Sequence, residues 1–168
     1  MHKALIGYLE ENYPNDVIIP CVDKKPLYSH KNGTWGWDDV RDFNKWDTHD
    51  CGILLQDLVV LDFDSSEHVG YFEHHFPILK QCPLEKTNKG AHYYLQRGKD
   101  CMLYDKSRCV MINDVQTDID IKTRCSTGTS GLVVCAPSKN KQWVRPIWDG
   151  VPEMPEDLHE FLGIHMKV

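Results

Sequence analysis

Residues 58–64 read Leu-Val-Val-Leu-Asp-Phe-Asp: four apolar residues run into two acids, Asp62 and Asp64, that are one residue apart. Alternate side chains of a strand share a face. The two carboxylates therefore project together, with Cα atoms roughly 6–7 Å apart. Oxygen donors at that spacing suit hard divalent cations such as Mg2+ or Mn2+. A pair of such ions about 3.5–4 Å apart is one arrangement for nucleotidyl transfer. The plainer reading is a strand end with two solvated aspartates.

A second segment, residues 117–122, reads Thr-Asp-Ile-Asp-Ile-Lys and repeats the alternation. It is expected to carry Asp118, Asp120 and Lys122 on one face. A third carboxylate from a neighbouring strand would complete a triad with Asp62 and Asp64. Lys122 would meet a phosphate or pair with the acids, whereas an edge strand with a polar face is the plainer alternative. A third segment, Thr87-Asn-Lys89-Gly90-Ala-His92, leads from a Lys-Gly turn into a strand. Gly90 allows close backbone approach, and Lys89 and His92 are candidates to hold a triphosphate. A structural histidine at a strand start is the alternative. Lys24 and Lys25, in a loop with Trp35 and Trp37, offer phosphate contacts and base stacking, or else a solvated turn over an aromatic cluster. Residues 126–131 (STGTSG) are no P-loop, because no Gly-Lys-Ser/Thr follows.

These residues need a scaffold. Apolar spacing predicts helices over 3–12, 38–46, 68–76 and 156–162, and strands over 17–20, 52–55, 58–64, 91–96, 115–122, 132–136 and 143–148. Residues 21–37 are expected to be a loop. The continuous apolarity of 58–61 implies a strand covered on both faces. The sum is an α+β fold, a mixed β-sheet core flanked by helices. Residues 1–150 are expected to form the main domain, and 151–168 a proline-rich link with a short helix.

At 168 residues, with 41% hydrophobic and 26% charged, the chain has the composition of one globular domain. A domain of this size buries roughly 68–70% of its unfolded surface. The sequence holds no apolar run long enough to span a bilayer, and the charged N-terminus is unlike a secretory signal. The net charge of −6 counts against gripping nucleic acid by bulk charge, but not against a local basic groove. The seven cysteines are odd in number and lack C-x-x-C spacing. They are read as reduced thiols of an intracellular protein. The irregular spacing of Cys101, Cys109 and Cys125 disfavours a zinc site built from them and a histidine.

The motifs in their order resemble the bifunctional DNA primase/polymerase domain of the archaeo-eukaryotic primase superfamily. The resemblance runs over residues 4–150. It rests on D-x-D at a strand end, T-x-K-G-x-H on the next strand, then D-I-K and V-V-x-A-P-S, after a beginning that includes Val17-Ile-Ile-Pro20, Asp23-Lys-Lys25-Pro26, Trp37 and Cys51-Gly-Ile-Leu-Leu55. It implies an RRM-like catalytic core that performs template-directed transfer of an NTP or dNTP onto a 3′-hydroxyl. Asp62, Asp64 and Asp120 are implied metal ligands for two Mg2+ or Mn2+ ions, with Asp118 competing for the third place. His92 is the implied phosphate contact, and Thr87, Lys89 and Lys122 are weaker nucleotide-binding assignments. Single-stranded DNA is the implied template, and domains of this kind are often followed by a helicase domain. Two departures from the family pattern bear on loop geometry: Lys89-Gly90-Ala91 stands where Gly-Gly is usual, and Ala136-Pro137-Ser138 where Pro-Pro-Ser is usual. The competing classes are a metal-dependent nuclease and a catalytically silent nucleic-acid-binding domain.

Overall fold

The computed structural model describes residues 2–30 and 34–164. In chain order these form α1 (His2–Asn12), β1 (Ile18–Val22), β2 (Lys25–Pro26), α2 (Trp37–Asp42), β3 (Asp50–Leu55), β4 (Leu58–Phe63) and α3 (Val69–His75). There follow β5 (Leu84–Lys86), β6 (Ala91–Gln96), β7 (Met111–Ile112), β8 (Val115–Gln116), β9 (Ile119–Lys122), β10 (Gly131–Cys135), β11 (Gln142–Arg145) and α4 (Glu156–Ile164). The class is α+β, as the alternation of patterns predicts. None of the described helices is long and apolar enough to cross a membrane.

The expected single mixed sheet is corrected. The strands form a four-stranded sheet, β10-β3-β1-β2, a five-stranded sheet, β11-β5-β6-β4-β9, and a β7-β8 hairpin. Every pairing between named strands is antiparallel. A physical reason lies at the junction of β3 and β4. The Asp16 carboxylate is fully buried and accepts hydrogen bonds from the backbone N–H groups of Gln56, Asp57 and Leu58 at 3.0, 2.9 and 3.1 Å. Those three donors are taken out of strand pairing, so the chain turns a corner and β4 enters a different sheet from β3.

All six residues of β4 are buried, as its continuous apolarity implies. Val59, Leu61 and Phe63 face a core that includes Phe72 of α3 and Leu158 and Leu162 of α4. Leu58 and Val60 face a second core that includes Leu5 and Leu9 of α1 and Val133 of β10. Strand β6 divides in the same way, with Tyr93 and Leu95 toward the first core and Tyr94 toward the second. The segment after residue 150 is joined to this body: Gln96 and Met154 exchange backbone bonds with their neighbours, Gln96 N–H to Pro152 O at 2.8 Å and Met154 N–H to Gln96 O at 2.9 Å. Residues 165–168 of the expected C-terminal segment lie outside the described residues.

Other boundaries move for local reasons. The helix expected over 38–46 stops at Asp42, because Phe43 turns extended and sets its ring edge-on to Trp46 and His49. The strand expected over 115–122 is broken. Asn113 and Asp114, both at positive φ, make a tight turn that folds β8 back on β7. The break within 115–122 comes later: Thr117 still follows the hairpin, with its N–H and hydroxyl both donated to the Val110 carbonyl, and β9 begins only at Ile119. Asp118 falls in that gap, and the expected single strand through Asp118, Asp120 and Lys122 does not form. The strand expected over 143–148 stops at Arg145, before Pro146, which has no N–H to donate. Within the expected 21–37 loop, Cys21 and Val22 extend β1, and β2 returns on them.

Asp16→Ala is expected to lower unfolding free energy by about 3 kcal/mol, since three backbone donors at the β3–β4 corner lose their acceptor. Urea unfolding followed by tryptophan fluorescence measures this.

Candidate functional site

Strand register assembles the site. Glu85 of β5 stands opposite His92 of β6, His92 opposite Asp62 of β4, and Asp62 opposite Asp120 of β9. Directly opposed residues share a face, so these four polar residues form one row across four adjacent strands. The row lies on the face that Leu58, Val60 and Tyr94 make apolar. It occupies the end of that face, where the two sheets part.

The side chains of the row are tightly engaged. His92 is 5% exposed, Asp62 8% and Glu85 0%. His92 Nδ1 lies 3.0 Å from Glu85 Oε1, and its Nε2 lies 3.2 Å from Asp62 Oδ1. Lys122 Nζ is 3.8 Å from the other Asp62 oxygen. Burial works against charge on His92, but the hydrogen bonds to Asp62 and Glu85 more than reverse this and raise its pKa to about 9. Burial likewise opposes the Asp62 charge, and the His92 hydrogen bond outweighs it, holding the carboxyl below the usual range. At neutral pH the row therefore contains an imidazolium between two carboxylates.

Asp64 lies just beyond β4 and is exposed. Its backbone N–H reaches the Asp118 carbonyl at 3.4 Å. Partial burial, then the charges of Asp62 and Asp118, push its pKa up. Asp120 accepts a hydrogen bond from the Arg108 N–H at 2.6 Å. Its pKa too is raised, by burial and then by Asp62 and Asp64 despite the Arg108 bond. Among the described residues Asp118 Oδ1 has no hydrogen-bond partner, and it is buried. This donor set, all hard oxygen with mutual repulsion, fits a divalent cation in its chemistry. Among the described residues no three His, Cys, Asp or Glu side chains already stand close enough to hold a metal ion. Asp62 is turned to His92 and Lys122, and Asp120 to a backbone donor.

A cleft of about 490 Å³ opens between the sheets over this row. It brings together Asp62, Asp64, His92, Thr87, Lys89, Lys122 and Lys24, with residues 132–134 of β10 as the facing wall. Asp118, Asp120, Lys25 and Trp37 do not line it. Trp37 is engaged elsewhere, donating its indole N–H to the Pro14 carbonyl at 2.8 Å and packing on the second core. The Thr87 hydroxyl accepts the Gly90 N–H at 3.1 Å and so clasps the β5–β6 turn. That turn presses on the end of β4: a Cβ at Gly90 would stand 1.7 Å from the Phe63 carbonyl oxygen. Lys24 is presented by a two-residue turn in which both Asp23 and Lys24 have positive φ. The seven cysteines are free thiols, and the four outside the zinc grouping, Cys21, Cys51, Cys82 and Cys135, are all buried.

Two residues of the site escape the sequence reading. Lys141 lines the cleft, so four lysines surround Asp62 and Asp64 in a chain of net charge −6. Glu85 sits in a three-residue strand, too short for any alternation to be read. Neither residue belongs to a motif.

Free histidine titrates near 6.5. The stability that protonated His92 contributes is fully present below that value and is lost as pH rises through about 9. In metal-free buffer, unfolding free energy is expected to fall between about pH 6.5 and 9.5, by on the order of 3 kcal/mol. Denaturant midpoints across that window check this, and His92→Gln should flatten the fall. No protein-family model matches this chain, and no curated protein matches it.

Proposed function

We propose that the chain is a template-directed nucleotidyltransferase, the primase/polymerase core of a replication protein. The observation that supports this reading is convergence. Asp62 and Asp64 from β4, Lys89 from the β5–β6 turn, His92 from β6 and Lys122 from β9 meet at one cleft, although separate stretches of chain carry them. That combination of hard anionic donors and cationic groups is what a triphosphate with its counter-ions requires.

Asp62, Asp64 and Asp120 would hold two Mg2+ or Mn2+ ions, with the unpartnered Asp118 oxygen as the alternative to Asp120. Such ions, when bound, lower the pKa of an attacking hydroxyl and stabilise charge on the phosphates. Lys89 and Lys122 neutralise the outer phosphates. His92 keeps Nδ1 committed to Glu85, so Nε2–H, which stands 3.2 Å from Asp62 Oδ1, is the donor it would share with a phosphate in the cleft. The 3′-oxygen bonds to the α-phosphorus, the bond to the bridging oxygen breaks, pyrophosphate leaves, and the hydroxyl proton passes to water. Protein groups act through position and electrostatics. The four lysines give a local positive field that would draw nucleotide and single-stranded DNA into the cleft. A helicase domain in the same polypeptide is a fitting partner for such an activity.

Incorporation on single-stranded DNA, with and without primer, tests the reading with each NTP and dNTP and with Mg2+ or Mn2+. Asp64→Asn is expected to cut incorporation by at least about 100-fold with an unchanged melting temperature, because Asp64 is exposed and holds no ion pair among the described residues. Full activity of that variant would remove the acids from the chemistry. Asp62→Asn is expected to lose activity and also melt lower, since it removes the buried negative charge that His92 pairs with. His92→Ala is expected to weaken nucleotide binding by about tenfold and leave DNA binding unchanged. Equilibrium titration with a fluorescent nucleotide and a labelled oligonucleotide measures both.

A further inference from the structure

Glu85 is the member of the cross-strand row that direct contact with substrate leaves without a task. It is wholly enclosed, yet both its oxygens are used. Oε1 accepts from His92 Nδ1–H and from the Tyr94 hydroxyl, and Oε2 accepts the Ala136 N–H. A buried ionic group is a poor way to gain stability, because apolar residues of similar volume commonly do as well. Its geometry points to a different use.

A carboxylate only accepts hydrogen bonds. Beside Nδ1, it keeps a proton on that nitrogen and forbids the flipped ring, and Nε2 is then aimed at Asp62 and the cleft. The second oxygen grips Ala136, directly after β10, which supplies the wall facing the row. That wall is tied down again by Ser138, whose hydroxyl accepts the Cys51 N–H at 2.7 Å and donates to the Cys51 carbonyl at 3.1 Å. One carboxylate therefore sets both the orientation of the histidine and its separation from the opposite sheet.

We propose that Glu85 is a positioning residue, which holds His92 with Nε2–H toward the cleft and clamps the two walls at the separation a nucleotide triphosphate needs. This rests on reading His92 as a phosphate-binding donor.

The test has two parts. In wild-type protein labelled with 15N-histidine, His92 Nδ1 is expected to carry a bonded, exchange-protected proton at pH 7. An unprotonated Nδ1 would overturn the proposal without any variant. In the second part, Glu85→Gln is compared with Tyr94→Phe, which keeps the carboxylate and the ring packing. Glu85→Gln is expected to raise the nucleotide KM about tenfold while kcat changes less than about threefold, and to alter the His92 Nδ1 signal. Glu85→Asp should recover part of the loss, and Tyr94→Phe should leave KM as it is. A Glu85→Gln protein that only melts earlier, with KM and the His92 signal unchanged, would make Glu85 merely structural. Wild-type protein that binds no nucleotide would instead overturn the functional reading, which the wild-type histidine signal does not depend on.

Discussion

Charge can be carried into the space between two sheets only if each charged group neutralises the next. The Glu85–His92–Asp62 chain meets that condition along one row of an antiparallel sheet. An imidazolium lies between two carboxylates, Lys122 reaches the outer one, and the inner one is saturated by Tyr94 and Ala136. Removing any member would leave a buried charge or donor unpaired, which costs more than the intact row contributes. The rest of the site is arranged around this chain of partners.

The fold serves the row through strand alternation and one corner. Odd positions of β4 and even positions of β6 share no face, so each strand can supply an apolar core on one side and polar groups on the other. Val59, Leu61 and Phe63 anchor β4 to the helices, while Leu58 and Val60 bury the start of the face that ends in Asp62. The corner at residues 56–58, held by Asp16, separates β3 from β4 and lets β10 face β4 across the cleft rather than pair with it. Gly90 then lets the Lys89 turn close against the end of β4.

The cleft inverts the electrostatics of the molecule. Overall the chain is acidic, yet Lys24, Lys89, Lys122 and Lys141 surround two aspartates, one of which is already neutralised by His92. Asp64, Asp118 and Asp120 are left with mutual repulsion and an unpartnered oxygen. The acids around the end of β4 therefore favour cations, while the lysines that line the cleft favour anions.

Much of this was legible from residue order. The apolar run into Asp62 and Asp64 identifies a strand covered on both faces, because only such a strand can be continuously apolar and still end in acid. Thr87, Lys89, Gly90 and His92 are recognisable because a Lys-Gly turn before alternating residues has few other forms, although the structure gives the Thr87 hydroxyl to the turn. Asp118 could not be separated from Asp120 by alternation, since the break at Thr117 and Asp118 follows from hydrogen bonds to Val110, a partner that the local pattern does not name. The two-sheet arrangement, Glu85 and Lys141 were decided by tertiary structure alone. Glu85 matters through residues 7, 9 and 51 positions away, at His92, Tyr94 and Ala136. Local pattern reports which face a side chain occupies, whereas long-range strand register decides what it meets there.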